Sequence, residues 1–184
     1  TITSALQFTL GARLPTGSID VEGDTPRGGS GTLERLPYTM QIGSGTLDFT
    51  GAVHYSKLMN DVKLGLSANT TIRTGENKNN YRLGNNYGLA GWAQYSKNHW
   101  FQPGLRIGVR EIEMIRGGDT SLQMSAAFPF PASITNPANF GGTKVNLSAI
   151  VRVCPKEDCD FSLSGEYGKP IYQNLNGIQP KDRH

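Results

Sequence analysis

Between Ser44 and Glu113 apolar and polar residues alternate almost without interruption. Leu47, Phe49, Gly51, Val53 and Tyr55 fall on one face, and Asp48, Thr50, Ala52, His54 and Ser56 on the other. After a short turn at 57–61, Val62, Leu64, Leu66, Ala68 and Ile72 alternate with Lys63, Gly65, Ser67, Asn69, Thr71 and Arg73. A polar loop, 75–83, precedes Tyr87, Leu89, Ala93 and Tyr95, set against Asn86, Gly88, Ala90 and Gln94. The turn 97–100 then leads to Phe101, Leu105, Ile107 and Val109, set against Gln102, Gly104, Arg106, Gly108 and Arg110. A period of two means strands, because successive side chains of a strand point to opposite faces.

The same period recurs outside this stretch. Leu6, Phe8, Leu10, Ala12 and Leu14 alternate with Ala5, Gln7, Thr9, Gly11 and Arg13 until Pro15 and Gly17. Val145, Leu147, Ala149, Val151 and Val153 alternate with Lys144, Asn146, Ser148, Ile150 and Arg152. Phe161, Leu163, Gly165 and Tyr167 alternate with Ser162, Ser164, Glu166 and Gly168. The pattern predicts antiparallel strands over 2–14, 44–56, 62–74, 84–96, 101–113, 143–153 and 160–170, joined as a meander. The polar tail 171–184, with Asn174, Asn176 and Gly177, reads as a loop.

The four central runs span about 11–13 residues, against a mode of roughly 5–6 for soluble strands. A tilted strand crossing a bilayer needs about 9–11. Connections alternate too: 15–43, 75–83, 114–142 and 171 onward are long, whereas 57–61, 97–100 and 154–159 are short. Tyr55, Tyr95, Trp100 and Phe101 sit by the short turns, and Phe49 and Tyr87 nearer the long loops. Apolar-out strands, asymmetric loops and aromatic girdles describe an outer-membrane barrel. A lipocalin-like barrel would instead turn the apolar face inward. The expected fold is all-β: a single domain over 1–184, an antiparallel up-and-down transmembrane β-barrel. Seven strands are visible, and an even strand number is the rule for single-chain bacterial barrels. The expectation is therefore part of a larger even-stranded barrel, with strands 2–14 and 160–170 bridged by residues outside this sequence or by another polypeptide.

Composition narrows the class. The hydrophobic fraction is 36% and the mean hydropathy −0.40, and no apolar run approaches the ~18 residues of a spanning helix. Barrels turn only half of each strand to lipid, so modest hydropathy fits them. Gly, at 23 residues, suits crowded small barrels and tight turns. The net charge of +3 is spread out, without a basic run interleaved with aromatics, which argues against nucleic acid. The strand pattern begins at Thr1, so a processed or partial chain is expected.

The polar face carries the candidate chemistry. Arg13, Lys63, Arg73, Arg106, Arg110, Lys144 and Arg152, with Asp48 and Glu166, are expected to line the lumen together with His54 and Trp92. Facing lipid at the midplane, each Arg or Lys would cost ~2–4 kcal/mol. These cations either create an anion-favouring lumen or pair with Asp48, Glu111 and Glu166 to plug a narrow one. Trp92 is expected to fill lumen volume, with stacking on a ligand as the alternative. Cys154 and Cys159 flank a four-residue turn and are expected to form a disulfide on an oxidising periplasmic side. A metal would need more ligands than lie nearby. His54 and Ser56, with Asn69 to orient the imidazole, offer a barrel-lipase reading, against which a histidine in a polar lumen is the simpler one. Loop 15–43 carries Asp20, Glu22, Asp24 and Glu34 against Arg27 and Arg35. A solvated loop is expected there rather than a calcium or lipopolysaccharide site, as no calcium-loop spacing occurs. Loop 114–142 holds Phe128, Phe130 and Phe140, placed equally well in the barrel mouth or in an external lobe.

Four stretches carry a resemblance: Leu14-Pro-Thr-Gly17, Gln41-Ile-Gly-Ser-Gly-Thr-Leu-Asp-Phe49, Tyr81-Arg-Leu-Gly84 and Ile171-Tyr-Gln-Asn-Leu-Asn-Gly-Ile-Gln179. In order and spacing the chain resembles the C-terminal part of a family of Gram-negative outer-membrane proteins, the transporter-like barrels associated with the phenol meta-cleavage pathway. The resemblance implies passive passage of small, hydrophobic compounds and a further strand ending in an aromatic residue. It supplies no catalytic motif. The expected function is an outer-membrane channel or transport component, not an enzyme, and no cofactor is expected. Its expected partners are outer-membrane lipid, a small solute and a second polypeptide that completes or plugs the barrel. A structural barrel binding a protein through its loops or edges, and an outer-membrane lipase or esterase, are the alternatives.

Overall fold

The computed structural model describes residues 4–24, 31, 33–98, 100–122, 135–155 and 161–182. Seven long strands build one antiparallel sheet: β1 (Ser4–Arg13), β4 (Leu47–Met59), β5 (Val62–Thr74), β7 (Asn86–Tyr95), β8 (Gln102–Ile112), β10 (Gly142–Val153) and β11 (Leu163–Leu175). Their order in the sheet, β1-β4-β5-β7-β8-β10-β11, is the order in sequence, so the chain runs up and down as a meander. Four short strands lie in the long connections: β2 (Glu22–Asp24) pairs with β3 (Leu33–Arg35), and β6 (Tyr81–Arg82) with β9 (Arg116–Gly117).

The strands fall where the period of two puts them, with shifts at the ends. The turn expected over 57–61 tightens to Asn60-Asp61, because Met59 and Val62 still pair. Asn60 takes φ 54°, which Asn tolerates better than most residues. The tail also departs from expectation, since β11 continues through Leu175. A register shift beside Val145 and Asn146 lets it pass Pro170. Proline lacks the ladder donor and is accepted at an edge strand or bulge.

Register fixes the faces. Leu10, Gly51 and Thr70 share one row, as do Phe8, Val53, Ala68, Leu89 and Val109. This apolar face is the exposed one: Phe8 is 67% exposed, Leu66 59%, Leu105 61% and Tyr167 82%. Cavities lie on the opposite, polar face, so the sheet curls with its polar side concave. Ser4 of β1 and Arg152 of β10 line one such cavity of ≈ 390 Å³, although four strands separate them in the sheet. The curl is open, for no pairing joins β1 to β11 among the described residues. The arrangement is opposite to a lipocalin's.

Apolar burial occurs instead among the long connections. Tyr38, Tyr81, Ile115 and Leu122 form a buried cluster with Leu83 and Phe140 against it. The Tyr38 and Tyr81 rings meet edge-on at 4.8 Å. The described part of loop 15–43 is therefore packed, at Ile19 and Tyr38, rather than merely solvated, and Phe140 packs against the same cluster. Phe128 and Phe130 lie outside the described residues. The entry and exit of the first long loop cross at Gly17 and Gly43: a β-carbon on Gly17 would come 2.8 Å from the Gly43 Cα. The Ser18 carbonyl accepts from Ile42 N (3.1 Å) and Gly43 N (3.0 Å). Only glycines allow two backbones so close.

Candidate functional site

All eleven lumen candidates lie on the concave face by register. Arg13, Asp48 and Arg73 form one row across β1, β4 and β5 at the long-loop end. Asp48 is wholly buried. It accepts hydrogen bonds from Ser44 Oγ (3.0 Å), Thr46 Oγ1 (2.6 Å) and Arg73 Nη1 (3.1 Å). Arg73 Nε also donates to the Gly84 carbonyl at 3.0 Å. A buried carboxylate needs this many partners, since an unpaired charge in a dry site costs several kcal/mol. The cage ties the loop lobe to the sheet and leaves Asp48 no free oxygen edge for a solute.

A second group lies toward the short turns. Trp92 of β7 crosses over Gly65 of β5, where a β-carbon would overlap its ring. It stacks on His54 of β4, ring centroids 6.1 Å apart at 17°. Lys63 Nζ lies 6.0 Å from the Trp92 ring centre. Trp92 lies against the wall, over Gly65 and beside His54. The Trp92 contact fixes the His54 ring. No hydrogen bond joins His54 to Ser56 or Asn69 among the described residues, and Asn69 pairs with Ala52 rather than beside the histidine. Arg152 lines two cavities at this end, one with Trp92 and Glu166.

The third group is the most open. A cavity of ≈ 840 Å³ runs along β7, β8, β10 and β11. Arg106 Nη1 reaches Glu166 Oε2 at 3.2 Å, spanning β10. Arg110 Nε donates to Asn86 Oδ1 at 3.1 Å. Lys144 Nζ bonds Asp182 Oδ2 at 2.7 Å. The expected role of Glu111 fails. It follows Arg110, so it points to the other face, where Thr143 Oγ1 donates to it. Asp182 was not legible as a site residue, because only the fold returns the tail to the sheet. Asn86 and Ser148 were legible as polar-face positions but carried no distinguishing motif.

The loop charges pair among themselves. Arg35 meets Asp20 at 2.5 Å and Asp119 at 3.5 Å. Asp20 also binds Lys78 and Asn79. The Lys78 hydrogen bond, then those of Asn79 and Arg35, hold its carboxyl down at about 2. Among the described residues no group of three metal-ligating side chains forms. Cys154 is wholly buried, no free cysteine is found among the described residues, and Cys159 lies outside them.

Three sequence stretches meet at the long-loop end. Leu14–Gly17 and Gln41–Phe49 supply the Gly17–Gly43 crossing and the Asp48 cage, and Tyr81–Gly84 supplies a core tyrosine and the carbonyl that Arg73 binds. The chain matches no protein-family model and no curated protein.

Proposed function

We propose that this chain forms the wall of an outer-membrane β-barrel and acts as a channel or transport component for passive passage of small solutes, as the resembling transporter-like family implies. The inverted partition of side chains carries this reading. Apolar residues cover the convex face of strands 10–13 residues long, and cations and amides cover the concave one. A soluble monomer rarely exposes apolar patches beyond a few hundred Å². In lipid the same face is the favourable one, and the inner arginines and lysines escape the ~2–4 kcal/mol penalty of facing lipid. A Cys154–Cys159 disulfide closing a periplasmic turn belongs to the same proposal.

The open edges favour a second component of the reading. Each unpaired backbone group exposed to hydrocarbon costs several kcal/mol, so β1 and β11 require partner strands there. Those strands come from a longer form of this chain or from another polypeptide.

Planar-bilayer recording and liposome swelling with the full-length protein test the function. Stepwise conductance and solute-dependent swelling are expected. A protein that stays monomeric in water without detergent, and conducts nothing, would overturn it. Esterase activity lost on H54A would favour the enzyme.

A further inference from the structure

We infer that the long-loop half of the concave face holds a binding site for small carboxylates, and that Asp182 of the chain's own tail occupies it. The inference rests on reading this face as a lumen and names the solute class it takes. Arg110 on β8 and Lys144 on β10 are direct register partners. Two like charges at one cross-strand position destabilise a sheet unless an anion lies between or beside them. Here the anion is supplied from a distance in sequence. Asp182 meets Lys144 Nζ at 2.7 Å. Gln173 orients it from both sides of the peptide: Gln173 Nε2 donates to the Asp182 carbonyl at 3.0 Å, and Asp182 N donates to Gln173 Oε1 at 3.1 Å.

Neighbouring charge leaves this position the cationic one. Arg106 is matched by Glu166 at 3.2 Å, whereas Arg110 has Asn86, a neutral acceptor. The Asp182 side chain is 56% exposed and that of Lys144 34%, so the pair is open to solvent and a solute carboxylate can displace it. Arg110, Ser148 and Asp182 line the same ≈ 840 Å³ cavity, within the size range of small-molecule sites. Pro170 of β11, which shares the polar face with Asn146, also borders it and offers an apolar side to the body of the acid. A guanidinium and an ammonium on register partners of neighbouring strands, with the Ser148 hydroxyl and the Asn86 amide on the same cavity wall as Arg110, suit a carboxylate and not a neutral amide.

Calorimetry on the full-length protein in detergent tests the site with benzoate and benzamide, which share a ring and differ in charge. Benzoate is expected to bind at least about tenfold tighter. D182N removes the internal competitor and is expected to raise benzoate affinity about three- to tenfold, while K144Q and R110Q lower it by a similar factor. Equal binding of the two probes, no binding of either, or no response to D182N overturns the site. Asp182 lies on an exposed tail, so D182N tests the idea without endangering the sheet. Conductance without benzoate preference would sink the site and keep the channel. Benzoate binding without conductance would keep the site and sink the channel.

Discussion

Trp92 stacks on His54 across an intervening strand, with ring centroids 6.1 Å apart, because Gly65 leaves room for the indole between them. Three strands are thereby locked through one missing β-carbon. G65V should push Trp92 off the wall and destabilise the sheet by about 1–3 kcal/mol, the usual cost of overpacking. The readout is the unfolding midpoint together with Trp92 emission, measured in a W100F background. Unchanged emission and stability would show that the indole contact is not constrained by this glycine.

The Asp48–Arg73 pair makes an opposite kind of test. Removing one partner strands a buried charge, so D48A and R73A should each cost about 3–5 kcal/mol. Replacing both with apolar residues should recover much of that loss. Denaturant unfolding of the two single variants and the double variant measures the coupling. Strict additivity would mean that the pair does not hold the loop lobe to the sheet.

Burial raises the Tyr38 and Tyr81 hydroxyls above their ordinary value; the hydrogen bond from Asp119 N to Tyr38 and that between Tyr81 and Asn77 oppose this only in part. Folding therefore favours their neutral forms. That contribution is complete below the unfolded tyrosine value of about 10 and is lost as pH rises through the raised folded values. Ultraviolet titration should show two late-ionising tyrosines, removed by Y38F and Y81F, and a lobe that loosens above pH ~10. Asp20 behaves in the other direction: its lowered carboxyl, at about 2, contributes above the unfolded value of about 3.9 and is lost as pH falls toward the folded one.

Cys154 and Cys159 should be joined in protein isolated without reductant. A tryptic peptide pair lighter by two hydrogens than the reduced form is expected, with alkylation only after reduction. Both thiols alkylated without reduction would remove the disulfide.

The long strands were legible because their cause is local. A strand alternates its side chains by backbone geometry, so Leu64, Leu66 and Ala68 against Lys63, Gly65 and Ser67 declare both the strand and its faces. Strand order was legible for the same reason, since short turns such as 97–100 leave antiparallel neighbours no alternative. The buried state of Asp48 was not legible. The sequence shows it as one polar-face residue among many; its cage needs Ser44, Thr46 and Arg73 brought together at distances of 2.6–3.1 Å.

Alternation by itself determined that this protein is a meander of long two-faced strands, with basic residues sharing one face. It left open which face curls inward, since a barrel and its inside-out counterpart have the same period. Tertiary structure decided that the polar face is concave, that Tyr38, Tyr81, Ile115 and Leu122 bury one another in the loops, and that Asp182 returns to Lys144. These contacts join residues far apart in the chain. Their stability depends on three-dimensional packing and charge neutralisation, which no local period encodes.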